Sequence, residues 1–328
     1  MMTGRPESAG QKLAALSRLR DELHTPAAIS KLRAALAERS NYIIERAAEL
    51  IADSANNAFV DDLVKTYHRL KSSPLKTDPG CLGKIAVLRA LVQLEHGDAD
   101  IYRDGVTYRQ YEPVKDGEVD TAASLRAVAA LGLVPSVPSL ELLNRCAILL
   151  TDPCDQAREG AAQALAISGI PEGAPLLRLK LITGDAVATV IGECCSALLK
   201  LDRQHGADFV MRLLRSHNPD VCVQAALALA ETRRPEMFEP LRAAWEARPE
   251  HTVRESLLLC IRLLRSAEAE AFLLSLIGSR DVRAAADAIR ALTSRRSDAE
   301  LRSKIEAAVQ AAGDASLAAV FREEWGNA

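Results

Sequence analysis

Ala157-Arg158-Glu159-Gly160-Ala161-Ala162-Gln163-Ala164-Leu165 decides the fold of this chain, because the pattern returns along its length. The clearest second copy is Val221-Cys222-Val223-Gln224-Ala225-Ala226-Leu227-Ala228-Leu229. Weaker copies end at Leu50, Leu91, Leu131, Leu198 and Ile261, and a shortened one runs from Val282 to Ile289. From Leu50 to Ile261, successive end points lie 41, 40, 34, 33, 31 and 32 residues apart. Self-similarity at such a period marks stacked supersecondary units, none of which buries its apolar face alone.

Each unit reads as two helices. The second, or B, helix carries the nine-residue pattern. Its start is announced by a capping residue and proline at Asp78-Pro79, Asp152-Pro153 and Asn218-Pro219. Asp or Asn satisfies orphan N–H groups, and proline loses nothing in a first turn. The first, or A, helix has apolar residues at helical spacing, as in Phe209, Val210, Leu213 and Leu214. The Ala-Ala pairs (Ala47-Ala48, Ala161-Ala162, Ala225-Ala226) let paired helices approach closely.

This periodicity predicts a leading helix over 11–24 and units near 26–53, 58–95, 97–133, 136–168, 172–201, 206–231, 236–265 and 268–293. A capping pair is expected over 298–325, with Leu301, Ile305 and Val309 facing Leu317, Val320 and Phe321. The expectation is one helical array over 11–325, with a flexible N-terminus over 1–10.

The third unit departs from the pattern. Residues 96–120 carry Gly, Pro and three of the five tyrosines where a regular A helix should stand. This reads as an irregular Tyr-rich insert, and long segments of that kind tend to be functional. Tyr102, Arg103, Tyr108, Arg109 and Tyr111 are its candidate contact residues, since Tyr and Arg dominate interface centres. The alternative is that the insert folds back as a plug over core exposed by the missing helix. Arg158, Arg254 and Arg283 occupy early B-helix positions. They read first as a ladder with Asp152, Asp155, Glu255 and Asp281, and second, Arg158 above all, as contacts for a partner.

Composition narrows the function classes. The 328 residues are 48% hydrophobic but only 4% aromatic, so the core is built from Ala, Leu, Val and Ile. Net charge is −3, from 41 basic and 44 acidic side chains, which provides no general pull toward nucleic acid or an anionic membrane. The seven cysteines show no CxxC and read as small buried thiols in a reducing, cytoplasmic compartment. No segment is long and apolar enough to predict a membrane span, and the first residues hold no apolar signal region.

The pattern of a Pro-led turn, Val-Arg near the B-helix start and Ala-Ala-x-Ala-Leu resembles HEAT repeats. It is most similar to the bacterial HEAT-like type named after phycobilisome lyases, over about 26–293. The resemblance implies an all-α, right-handed α-solenoid of about eight to nine HEAT-like helix pairs, with B helices lining the concave side. It implies no single function, since this architecture hosts scaffolds, adaptors and some enzymes.

Three HEAT-like enzyme families offer a comparison. A deoxyhypusine hydroxylase-like di-iron site needs His-Glu dipeptides, and none of the six histidines is followed by Glu. A glycosylase-like site needs a basic face with aromatic groups. The two tryptophans, Trp245 and Trp325, read instead as packing residues. A bilin lyase-like role finds no support beyond the repeats. No metal set, phosphate loop or nucleophile motif stands out. The sequence therefore predicts a non-catalytic scaffold or adaptor without a cofactor. Its protein partner is expected on the concave B-helix face around the insert. A lyase-like or glycosylase-like enzyme or cofactor-handling accessory is the alternative, and a nucleic-acid binder comes third.

Overall fold

The computed structural model describes residues 8–326, and of the expected N-terminal tail residues 1–7 lie outside the described residues. The fold is all-α: twenty α-helices and one two-stranded hairpin among the described residues. The chain forms two compact units, residues 1–176 and 177–328, each a stack of helix pairs.

In the first unit, α1 (Ala9–Ser17) leads the stack, capped by Ser8. It stops earlier than the expected 11–24 helix, although Leu19 and Leu23 are still buried in the turns that follow. The A helices are α2 (Pro26–Leu36), α4 (Val60–Lys71), the short α7 (Ala99–Gly105) and α9 (Ser139–Leu149). Their B partners are α3 (Asn41–Ser54), α6 (Leu82–Gln93), α8 (Ala123–Leu133) and α10 (Asp155–Ser168). Between α4 and α6 lies the single turn α5 (Pro74–Thr77), and between α7 and α8 a hairpin of β1 (Tyr111–Val114) and β2 (Gly117–Asp120). B helices stack directly on one another, α3 on α6, α6 on α8 and α8 on α10.

The division between units falls within α11 (Ala174–Thr183). The second unit continues with α12 (Ala188–Leu201), then the pairs α13 (Gly206–Leu213) and α14 (Pro219–Glu231), α15 (Phe238–Ala247) and α16 (His251–Leu263), and α17 (Ala267–Ile277) and α18 (Val282–Ala291). It ends with α19 (Ala299–Ala312) and α20 (Ala315–Trp325). Leu301, Ile305, Val309 and Leu317 of this last pair are buried as expected, while Val320 and Phe321 are half-buried. Trp325 is the larger anchor: it is fully buried and its indole N–H donates to the Ile289 carbonyl at 3.3 Å.

The repeat pattern has the expected packing cause. Ala47, Ala48, Ala161, Ala162, Ala225 and Ala226 are buried, as are Leu50, Leu91, Leu165, Leu198, Leu229 and Ile261. Helices α8 and α10 meet so closely that a Cβ on Gly160 would lie 2.4 Å from the Ala127 backbone, so only glycine fits there.

One end point is corrected. Leu131 is half-buried, whereas Ala129, Ala130 and Leu133 are fully buried. The α8 copy therefore ends at Leu133, two residues later than its Ala/Leu spelling indicates. With that register, the residue seven before the end point is a cation in four of the seven copies, Lys84 in α6, Arg126 in α8, Arg158 in α10 and Arg254 in α16, and apolar (Ile43, Ile191, Cys222) in the others. Three successive B helices of the first unit thus carry a buried cation at one equivalent position.

Candidate functional site

A buried cation requires partners, because an uncompensated charge is costly in a low-dielectric interior. The first unit supplies them from segments just before the B helices and from the insert. Asp78 and Lys84 are both fully buried and pair at 2.8 Å. Asp78 Oδ1 also accepts from the Gly83 N–H and Oδ2 from the Lys84 N–H, at 2.8 and 3.0 Å. It thus caps α6 from beyond the one-turn segment Pro79–Cys81, and Asn41 of α3 donates to it at 3.2 Å. Arg126 reaches forward into the next pair, donating through Nε and Nη2 to both oxygens of Asp152 at 3.0 and 2.9 Å. Arg158 donates through Nη1 to the carbonyls of Asp152 and Pro153 at 2.8 and 2.9 Å.

The insert completes this network and is not irregular. Residues 99–105 form α7, capped by Asp98, and they supply the A helix that the sequence reading left missing. The hairpin then pairs Tyr111 with Asp120, Glu112 with Val119, Pro113 with Glu118 and Val114 with Gly117. A hairpin this short is marginal by itself, and Pro113 removes one donor. Docking holds it. Thr121 N–H donates to the Gln110 carbonyl at 2.9 Å, extending the ladder by one rung. One oxygen of Glu112 accepts from Gly80 N–H, Gln110 Nε2 and Thr121 Oγ1 at 2.6, 2.7 and 2.7 Å. Gln110 also donates to the Asp78 carbonyl at 2.9 Å. Asp120 pairs with Arg126 at 2.8 Å and with Arg109 at 3.0 Å, and Arg109 reaches Asp152 at 2.7 Å.

The electrostatics follow from this geometry. Burial alone would raise the carboxyl groups of Glu112, Asp120 and Asp152, but the donors around them prevail and hold all three below their ordinary values. For Glu112 these are Gln110, Thr121, the Gly80 N–H and Lys84. For Asp120 they are the Ala122 N–H, Arg109, the Gln110 N–H and Arg126. For Asp152 they are Arg126, the Cys154 N–H and Arg109. Burial, with Cys81, Asp78 and Asp104 nearby, pushes the Tyr108 phenol up to about 12. No disulfide forms among the described residues, and burial pushes the Cys146 and Cys260 thiols up to about 12, leaving them as poor nucleophiles.

The six sequence-predicted residues are dispersed over this structure. Tyr102 is fully buried, with its ring over Gly132, and its hydroxyl has no partner among the described residues. Arg103 forms a fork with Glu141 at 2.7 and 2.9 Å and also pairs with Asp100 at 2.9 Å. Tyr108 is half-buried, with the ammonium groups of Lys71 and Lys84 at 5.6 and 5.5 Å from its ring centre. Arg109 joins Asp120 to Asp152, and Arg158 is buried against backbone carbonyls. Tyr111 is 53% exposed. Beyond this set, Val114 and Val119 of the hairpin are 52% and 46% exposed, and Tyr42, next to Asn41 at the start of α3, is 60% exposed.

Lys84, Arg126, Gln110 and Glu112 carry no local sequence signature of their own, while Asp78 and Asp152 read from sequence as helix caps, Asp152 also as a ladder partner of Arg158. The two caps share a spacing: Asp78-Pro79 and Asp152-Pro153 are each followed, six residues after the Asp, by the cation of a B helix. In the second unit the expected ladder is present at one rung, Arg254 to Asp281 at 3.3 Å. Trp245 is buried there, edge-on to Phe272 at 5.5 Å, and Arg254 lies 4.2 Å from its ring centre. Among the described residues, no three His, Cys, Asp or Glu side chains converge as metal ligands, and no helix is long and apolar enough to cross a membrane.

No protein-family model matches the chain, nor does any curated protein. Among solved structures, the chain is similar to human deoxyhypusine hydroxylase in complex with glycerol, at 20% identity over 79% of this chain and 91% of that one, TM-score 0.31. It is also similar to the complex of CpcE and CpcF of phycocyanin lyase from Nostoc sp. PCC7120, at 16% identity over 75% and 92% of the two chains, TM-score 0.38. A third similar structure is an engineered protein, at 19% identity over 99% and 97%, TM-score 0.32.

Proposed function

We propose that the chain is a non-catalytic scaffold or adaptor, and that a protein partner binds the B-helix side of the first unit around the hairpin. The observation that carries this reading is the contrast between the two ends of the hairpin. Its root is tied by charged side chains to the starts of α6, α8 and α10, while Tyr111, Val114 and Val119 stay about half exposed. A rigid root lowers the ordering cost of binding, and exposed aromatic and branched side chains supply area for it. Arg103, Arg109 and Arg158 serve the fold in this reading, because their donors are engaged by Glu141, Asp120, Asp152 and backbone carbonyls.

The test is affinity capture from the native cell extract, followed by rebinding of each captured protein in pure form. Wild type is compared with Tyr111→Ala/Val119→Ser. A pure partner whose Kd weakens at least tenfold in a variant of unchanged Tm supports the reading. Equal affinity of both proteins for every partner removes the hairpin from the site. Turnover of a small molecule by the purified chain removes the scaffold reading itself.

A further inference from the structure

A second feature lies far from the hairpin in sequence and belongs wholly to the second unit. Arg262 in the last turn of α16, Arg265 just beyond it, and Ser294 and Arg295 in the turn after α18 line one surface pocket of about 380 Å3. Arg262 Nη2 donates to Ser294 Oγ at 3.0 Å, and its Nε is buried without an acceptor among the described residues. No carboxylate pairs with Arg262 or Arg265 among the described residues. Arg295 pairs with Glu270 at 2.6 Å and with Asp298, and Lys304 reaches Glu270 at 3.7 Å.

Lys304 also pairs with Glu300 at 2.7 Å, so four cations meet three carboxylates here, an excess of one positive charge. Burial, followed by repulsion from Arg295 and Arg265, lowers the Arg262 guanidinium below its ordinary value. The C-terminal ends of α16 and α18, at roughly half a unit charge each, offset this net excess from a distance without supplying either guanidinium with an acid. Arg262 and Arg265 are left as the two cations without a carboxylate of their own, and both line the pocket. Arg103 and Arg126 of the first unit, by contrast, are each paired with an acid.

We infer that this pocket binds a phosphate group, either as the free ion or as a phosphate monoester. A carboxylate offers two oxygens and one charge, whereas phosphate offers a near-dianion with at least three acceptor oxygens. That inventory matches three arginines lining one pocket together with the Ser294 hydroxyl. The site is independent of the hairpin reading, in residues and in the unit that holds them.

The experiment is calorimetric titration at constant ionic strength with inorganic phosphate, N-acetyl-phosphoserine amide, N-acetyl-serine amide and acetate. Wild type is compared with Arg262→Gln/Arg265→Gln and with Arg265→Gln alone, whose exposed side chain does not support the fold. Saturable phosphate binding that weakens at least tenfold in the double variant and measurably in the single one supports the site. Tighter binding of phosphoserine than of the free ion assigns the source to a modified side chain, and the reverse order assigns it to free phosphate. The inference is overturned by any of three results: no saturable binding, equal binding by wild type and Arg265→Gln, or equal affinity for acetate and phosphate.

Discussion

Arg126 and Asp152 form a buried fork between consecutive helix pairs, with Nε to Oδ2 at 3.0 Å and Nη2 to Oδ1 at 2.9 Å. The remaining guanidinium nitrogen, Nη1, donates to the Tyr108 carbonyl at 3.0 Å and pairs with Asp120 at 2.8 Å. One side chain thus holds two repeats and the hairpin root together. Because both partners are out of water, removing one leaves the other unpaired. Arg126→Met is expected to cost about 3–5 kcal/mol in chemical denaturation. Arg126→Met/Asp152→Asn should cost clearly less than the sum of its single variants, and additive losses would refute the coupling.

The hairpin separates a structural half from an exposed half. Gln110→Ala removes one donor from the Asp78 carbonyl and one from the Glu112 carboxylate, and is expected to cost about 1–3 kcal/mol. Tyr111→Ala removes a side chain that is more than half exposed and should change stability by less than about 0.5 kcal/mol. Amide hydrogen exchange over residues 111–120 checks the difference: it should speed up in the first variant and stay unchanged in the second.

Acid should release the hairpin. Glu112, Asp120 and Asp152 have folded-state pKa values below their ordinary ones, held there by donors that outweigh burial. A lowered folded value contributes stability in full above the unfolded value, about 4 for these groups, and loses it as pH falls through the folded one. Tm should therefore be flat with respect to these groups above about pH 5 and fall progressively below about pH 4. Glu112→Gln should make that fall shallower, and an unchanged acid limb would rule Glu112 out as a contributor.

Tyr102 and Gly132 fit one another. A Cβ on Gly132 would stand 2.3 Å from the Tyr102 ring, so Gly132→Ala overpacks the contact and should cost about 1–3 kcal/mol. Tyr102→Ala opens a cavity instead and is expected to cost about 3–5 kcal/mol, as for large aromatics in cores. The two changes together should be less harmful than their sum, measured by denaturation midpoints at constant m-value. Simple additivity would show that the ring can move away from a new methyl group.

What could be read from the sequence was local. The Ala-Ala-x-Ala-Leu copies and the alternation of A and B helices depend on neighbours three or four residues apart, and eight predicted pairs plus the end pair are present. The hairpin was missed although Asp116-Gly117 between Val114 and Val119 is a turn signal, because its strands have only four residues each. The register slip in α8 arose because Leu131 and Leu133 are equally apolar, and only burial distinguishes them. Tyr102, Tyr108 and Tyr111 read as one cluster, yet one is core, one is half-buried and one is exposed, since α7 ends between the first two.

By itself, then, the sequence determined a helical-repeat protein with a low-aromatic core, because helix periodicity and close Ala packing are written in short windows. The tertiary structure decided which charges are structural. Asp78, Gln110, Arg126 and Asp152 are separated by between 16 and 74 residues along the chain, and nothing in their local windows marks them as partners. Their pairing arises where successive B-helix starts meet the insert in a dry interior. There an unpaired charge is costly, and the folded arrangement is the one that satisfies them together.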